Sequence, residues 1–353
     1  MMENVNPLLD FARTIECSIK IPTNGSWYDD DNITFNSIGE VDIKPMLPRD
    51  ELLMTNPETL ISGETIIQVI KSCCPGISKP EDLYYPDVNA LLLGIHKATY
   101  GDEIKINGIC PKCVEKKNDS YYDILKEKSQ KFLEKKIKDG KGDKITQEEY
   151  EILEKESNIE NTEKFLKLEE ENKVKTSIQS QNVSIEWIMS KMKFLPSEKM
   201  IESANGLKIY LTPYKCKDKT KFTVNNIHSH KTLQNMYKKL ENFNEEDVKE
   251  REELMSDINM IYTELTNKSI EIISTAISKI IIPSGYSVDN YEHIKEFLLN
   301  SDSNSVKEIS NVIEELTSTG IPAKIPFICD CCKHEWEEIF HGYNPSDFFG
   351  NRS

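Results

Sequence analysis

The chain has 353 residues, 38% hydrophobic and 29% charged, with a formal net charge of -16. That length allows two or three compact domains, or one with a large insertion, and the low apolar share means that part of the chain builds little core of its own. The negative balance works against nucleic-acid binding, which draws its affinity from neutralising phosphates; with no apolar run of about eighteen residues and no leader-like segment, the chain reads as soluble with no membrane span.

In chain order, residues 15–113 read as a small mixed domain. "SIKIPTNGSWYDDDNITF" places a strand, a turn at Asn24-Gly25 and a second strand, and "GEVDIKPMLPRDELLM" alternates through Val41 and Ile43 before a helix near Pro48, with Asp50 as its expected N-cap. "GETIIQVIKSCC" sets Ile66, Ile67, Ile70 and Cys73 on one helical face. "PDVNALLLGIHKATYG" is an apolar helix that Asp87 caps and Gly101 stops, with His96 as a core or boundary residue. "DEIKINGICPKC" is a strand running into Cys110 and Cys113.

Residues 114–180 are Lys- and Glu-rich with sparse apolar residues at helical spacing, a charged helical arm or insertion. Within it "KDGKGDKITQEEY" has Ile145 and Glu149 where a calcium loop has its apolar and final ligand positions. Lys138, Gly140 and Gly142 supply no oxygen ligands there, so the stretch reads as a helix–turn–helix connector. Residues 181–322 form a second, mostly helical domain with a short strand region at "GLKIYLTPYKCKDKTKF", a loose echo of the earlier strand–Pro–helix pattern. A long helix is expected over "REELMSDINMIYTELTNKSIEIISTAISKII", with a stripe of Leu254, Ile258, Ile261, Leu265 and Ile270. Two shorter helices lead to the strand "AKIPFICDCC", and residues 323–353 close the chain with an aromatic tail, Phe348 and Phe349 included.

Nine cysteines in a chain of this kind suggest thiols or metal ligands made in a reducing cytosol. Two C-x-x-C pairs, Cys110/Cys113 and Cys329/Cys332, each follow a short strand, and each is expected to lead into a return strand. Two such knuckles offer the four thiolates of a closed, structural zinc site, one ion per chain, although 215 residues lie between Cys113 and Cys329. Cys331 falls outside the shared spacing. A redox pair would sit at a helix N-terminus, and "CPKCVEKK" does not continue as an apolar helix. The fold class expected is therefore α+β: a small mixed N-terminal domain, a split zinc ribbon closed by the C-terminal strand segment, and a large mostly helical insertion.

His228 and His230 of "IHSH", near Cys216, would share a face in a strand, but they read as surface histidines; His334 and His341 follow the second knuckle without being needed as ligands. No nucleophile elbow, P-loop or dinucleotide fingerprint occurs, and the paired carboxylates lie in solvated charge runs, so the chain reads as non-enzymatic.

The order "IPTNGSWY", "VDIKPMLPRDELLMTN", "LISGETIIQVIKSCC", "DLYYPDVNALLLGIHKATYGDEIKINGICPKC", with "FICDCCKHEWEEIFHGYNPSDFF" at the end, resembles the T4-like bacteriophage baseplate hub subunit and hub-assembly proteins. The likeness rests on Pro22, Gly25, Tyr28, Pro45, Met46, Asp50, Glu51, Asp87, Leu91, Leu92, Tyr100, Gly101, Asp102, Cys110, Pro111 and Cys113. The chain departs from that pattern in its long charged arm and in His96, where the family pattern has Arg. The resemblance implies a non-enzymatic tail protein that builds or joins the baseplate hub, in the host cytoplasm during assembly and then either released as an assembly factor or kept in the virion tail. Its partners would be other hub proteins, with self-association around a symmetry axis as a further expectation. The alternative reading is a zinc-ribbon nucleic-acid-associated factor; a thiol–disulfide protein comes third.

Overall fold

The computed structural model describes residues 13–28, 31–54, 63–139, 141, 144–170, 178–241, 248–321 and 324–340. Two short apolar strands, β1 (Cys17–Ile19) and β2 (Val41–Ile43), pair antiparallel with Cys17 opposite Ile43. Between them Asn24 (φ 49°) and Gly25 (φ 78°) take the left-handed turn expected of them. The expected second strand over "NITF" is reduced to a single bridge from Ile33 to Ile77. Helix α1 (Pro48–Met54) and helix α2 (Glu64–Cys73) follow; α2 buries Val69, Ile70 and Cys73, whereas Ile66 and Ile67 are half-buried.

Helix α3 (Tyr85–Tyr100) is the centre of this region, with Leu91, Leu92, Leu93 and Ile95 all buried, and it ends at Gly101 with φ 95°. Gly94 sits where a Cβ would come within 2.4 Å of Ile43 Cδ1, so the Ile43 and Ile19 side chains of the β1–β2 ribbon rest directly on the α3 backbone. His96 is buried, as expected of a core histidine; burial lowers its pKa to about 4, and its ring meets Tyr100 edge-on.

Neither aspartate expected to cap a helix does so as an N-cap. Asp50 lies in the first turn of α1, where its Oδ2 accepts from the Leu47 N–H (2.9 Å) and from Ser72 Oγ (2.8 Å). Asp87 lies in the first turn of α3, fully buried; it accepts from the Thr23 N–H (3.0 Å), Thr23 Oγ1 (2.6 Å) and Tyr28 Oη (2.6 Å). Tyr28 Oη accepts in turn from the Tyr84 N–H (2.7 Å), so one buried carboxylate ties the 22–28 turn to the helix start.

The chain then runs β3 (Glu103–Ile109), α4 (Pro111–Lys138), α5 (Gln147–Glu170) and β4 (Ile178–Ser184), with β3 and β4 paired. The expected arm is thus a helical hairpin inserted between two paired strands. Lys128 meets Glu160 (2.9 Å), Lys136 meets Glu149 (2.6 Å), and Asn161 Nδ2 donates to Lys117 O (3.1 Å). Glu149 is consumed by that pairing and by the Thr146 N–H (2.8 Å), which agrees with a connector rather than a calcium loop; Gly140 and Gly142 lie outside the described residues.

After a short helix α6 (Ile185–Ser190), strands β5 (Lys199–Glu202), β6 (Lys208–Leu211), β7 (Ile277–Ile281) and β8 (Ser287–Val288) form an antiparallel sheet in the order β5-β6-β7-β8. Helices α7 (Cys216–Glu241) and α8 (Val248–Thr275) lie between β6 and β7 in sequence. The C-terminal end of α8 is a correction to the long helix expected: "ISKII" pairs with β6 instead, because Ile277 and Ile280 are needed in the sheet core. Along the expected stripe Ile258 and Ile270 are buried, with Leu254, Ile261 and Leu265 half-buried. Helices α9 (Tyr291–Leu299) and α10 (Ser303–Ser318), capped by Asn290 and Asp302, bring Ile294, Leu298, Ile309, Ile313 and Leu316 onto the same core. The hairpin of β9 (Lys324–Ile328) and β10 (Glu335–Ile339) follows.

Two compact units result, one drawn from Met1–Glu103 and Ser184–Ala323, the other from Ile104–Val183 and Lys324–Phe340. They cut across the four regions read from composition: 15–113 is divided near Glu103, and its larger part joins 181–322 through backbone bonds such as Tyr85 N–H to Tyr214 O (2.9 Å) and Leu195 N–H to Pro22 O (2.9 Å). No helix among the described residues is long and apolar enough to cross a membrane.

Asp87→Ala strands three buried donors and is expected to cost about 2–4 kcal/mol in urea unfolding. Burial outweighs the Thr23 and Tyr28 hydrogen bonds and raises the Asp87 pKa to about 6 from 3.8, so the folded chain holds this proton more tightly than the unfolded chain. That contribution is full below about pH 4 and is lost as pH rises through about 6; relative to the non-titrating Asp87→Asn variant, the native chain should lose about 3 kcal/mol across that window.

Candidate metal centre

Strand β3 carries the chain directly to Cys110, and Pro111 opens α4 at the one place in a helix where a missing N–H costs nothing. The return strand expected after the first pair is absent: a 28-residue helix continues instead, with Cys113 in its first turn. On the other side, β9 and β10 align Trp336 with Phe327 and Glu335 with Ile328, and residues 329–334 make the turn. Cys329 N–H donates to His334 O and Lys333 N–H to Cys329 O, both at 2.9 Å, and Lys333 adopts the left-handed φ of 55° that closes the turn. This second pair has the strand–knuckle–return-strand arrangement expected of it.

The four sulfurs meet. Cys110 Sγ lies 3.6 Å from Cys332 Sγ, and Cys113 Sγ lies 3.6 Å from both Cys329 Sγ and Cys332 Sγ. All four lie within 4.8 Å of one another. A tetrahedron of thiolates around an ion at 2.3 Å has edges of about 3.8 Å, so these separations fit a four-sulfur metal site. They are far too long for disulfides, whose sulfurs lie about 2.05 Å apart. Cys110, Cys113 and Cys329 are buried and Cys332 is half-buried, while Cys331 points out to solvent and stands apart from the group, as its spacing implied.

Burial raises the Cys110 thiol pKa, offset in part by the Cys113 backbone N–H, and burial with the neighbouring sulfurs raises Cys113 further. At Cys332 burial is outweighed by the His334 backbone N–H and the three other sulfurs, which bring its pKa down to about 7. A thiolate is the form that binds metal, and the lowered pKa of Cys332 favours it.

The support around the sulfurs was not legible beforehand. Gly108 packs flat on the hairpin: a Cβ there would stand 2.8 Å from Glu338 Cγ and 3.0 Å from Phe327 Cε1. Glu338 Oε1 accepts from the Ile109 N–H (2.7 Å) and from Trp336 Nε1 (3.0 Å), and Trp336 stacks on Phe327 with centroids 5.3 Å apart. From β4, Gln181 Nε2 donates to Pro326 O (2.9 Å). A glycine one residue before the last strand position and a Trp–x–Glu on the return strand were the available signals.

The other candidates do not assemble. His228 and His230 lie on α7, a helix rather than a strand, where residues two apart face different sides; both are exposed, and Cys216 is buried at the start of that helix. His334 is near Trp336 (6.5 Å between centroids) and outside the sulfur group, and His341, Tyr343, Phe348 and Phe349 lie outside the described residues. Among the described residues the four cysteines are the one group of three or more metal-capable side chains close enough to share an ion. No protein-family model, no curated protein and no solved structure matches the chain.

Gly108→Val drives a branched side chain into Glu338 and Phe327 and should cost about 1–3 kcal/mol in chemical unfolding, with Trp336 fluorescence shifting as the ring loses its stack.

Proposed function

We propose that the chain is a non-enzymatic structural protein, folded around zinc held by Cys110, Cys113, Cys329 and Cys332, that builds or joins the baseplate hub of a T4-like phage tail. The observation that carries the zinc reading is the convergence of four sulfurs, three of them buried, from sequence positions up to 222 apart. Sulfur-only ligation at tetrahedral spacing suits zinc, and a site filled by four thiolates keeps no position open for water or substrate. Its contribution is to folding rather than to turnover. The split zinc ribbon is the corresponding fold reading, with α4 replacing the return strand of the first knuckle.

The hub assignment rests on the resemblance of residues 21–113 and of the terminal segment from Phe327. It is consistent with an acidic surface and a closed centre. The nucleic-acid reading needs the arm's lysines free on one face. Of the nine lysines of α4, three (Lys128, Lys131 and Lys136) pair with glutamates, and the net charge of -16 weighs against this reading.

Native mass spectrometry should find one zinc per chain, retained in Cys331→Ser and lost in Cys329→Ser/Cys332→Ser. Opening a loop of that length should destabilise the double variant by about 5 kcal/mol on chain-closure arithmetic. No zinc in the parent would refute the metal reading. For the hub reading, the tagged chain captured from phage-producing cells should carry other tail proteins in fixed stoichiometry; recovery of nucleic acid instead, released by salt, would favour the alternative.

A further inference from the structure

We infer that the cleft between β2, α1 and α2 is an oxyanion site that takes a phosphate-bearing ligand. The cleft is open, has a volume of about 810 Å³, and is lined by Arg13, Lys44, Arg49 and Lys71 together with Asp50 and Ser72. That size is within the range of small-ligand clefts. The chain carries four arginines in 353 residues, and two of them line this one cleft. Four cations thus gather in a molecule whose net charge is -16.

Asp50, the one carboxylate in this lining, offsets one of the four positive charges and leaves three in excess. It is 3% exposed and already accepts from the Leu47 N–H and Ser72 Oγ, with Arg13 Nη1 at 3.6 Å. Arg13 is itself fixed, donating to Ser72 Oγ (3.2 Å) and to the Ser72 carbonyl. Arg49 is exposed and 3.9 Å from the same carboxylate, while neither Lys44 nor Lys71 pairs with a carboxylate among the described residues. Like charges gathered around an open cleft repel one another unless an anion lies between them.

The scaffold is rigid where the charges attach. The Lys44 N–H donates to Cys73 O (2.8 Å), pinning the end of β2 to the end of α2 beside Lys71 and Ser72. A single guanidinium suffices for a monoanionic carboxylate. Guanidinium forks and ammonium groups around one cavity suit a multiply charged oxyanion, and phosphate is that chemistry. This inference stands independently of the metal centre and of the hub reading.

The test is calorimetric titration of the purified full chain with inorganic pyrophosphate at constant ionic strength, with citrate as a carboxylate of similar charge. One saturable pyrophosphate site is expected, weakened at least about tenfold in Arg49→Glu/Lys71→Glu, whose two positions are exposed. Thermal unfolding without ligand should be unchanged in that variant; if it is not, Arg49→Gln/Lys71→Gln serves with the same expectation. Reversing Lys126 and Lys131 on α4 should leave binding intact. Absence of saturable binding, or binding that survives both double variants, would overturn the site. Citrate binding as tightly as pyrophosphate would overturn the phosphate assignment.

Discussion

The meeting of residues 110 and 113 with residues 329 and 332 is the constraint on which the smaller unit depends. Its two sheets have two strands each, and such sheets are marginal alone. Its helical hairpin buries Leu125 and Leu153 but also Ser157 and Asn161, so the seam between α4 and α5 is partly polar. Trp336 packs on the sulfur cluster and stacks on Phe327, which in turn faces Gly108. A small assembly with so little apolar core is the kind that needs a staple.

The larger unit solves the same problem by other means. It buries aliphatic residues along α3 and a further cluster between the β5–β8 sheet and helices α8, α9 and α10. Where the chain must be held without a metal, it uses buried carboxylates: Asp87 gathers Thr23 and Tyr28, and Asp50 gathers Leu47, Ser72 and Arg13. Each is costly to bury and costlier to leave unpaired, which makes both local conformations specific.

Much of this could be read from residue order, and the failures have physical causes. The C-x-x-C spacing at 110 and 329 named all four converging cysteines and set Cys331 aside, although only the second pair lies on the strand–turn–strand knuckle expected; the first opens a helix. Asp50 and Asp87 sit at helix starts but not as N-caps: Asp50 reaches back to the Leu47 N–H and across to Ser72, and the partners of Asp87 lie in the 22–28 turn, where no local pattern announces them. The histidines of "IHSH" are the surface residues expected, on a helix that runs from Cys216 and buries Leu233 on its other side. "ISKII" continued a helical stripe until pairing with β6 claimed it, a tertiary demand that overrides local periodicity. Glu338 and Gln181 escaped notice because exposed polar residues on short strands carry no signal until their partners are known.

Pro111 stands between the first two cysteines and also begins α4, so no linker separates the sulfur cluster from the helix that grows out of it. That helix has 28 residues, which at 1.5 Å each makes a rod of about 42 Å. Clamped to α5 along its flank, it behaves as a lever whose fulcrum is the knuckle. A tilt of one degree at Cys110 carries its far end through about 0.7 Å. Whatever sets the angle of the two sulfurs on this side therefore also sets where the tip of the arm can reach.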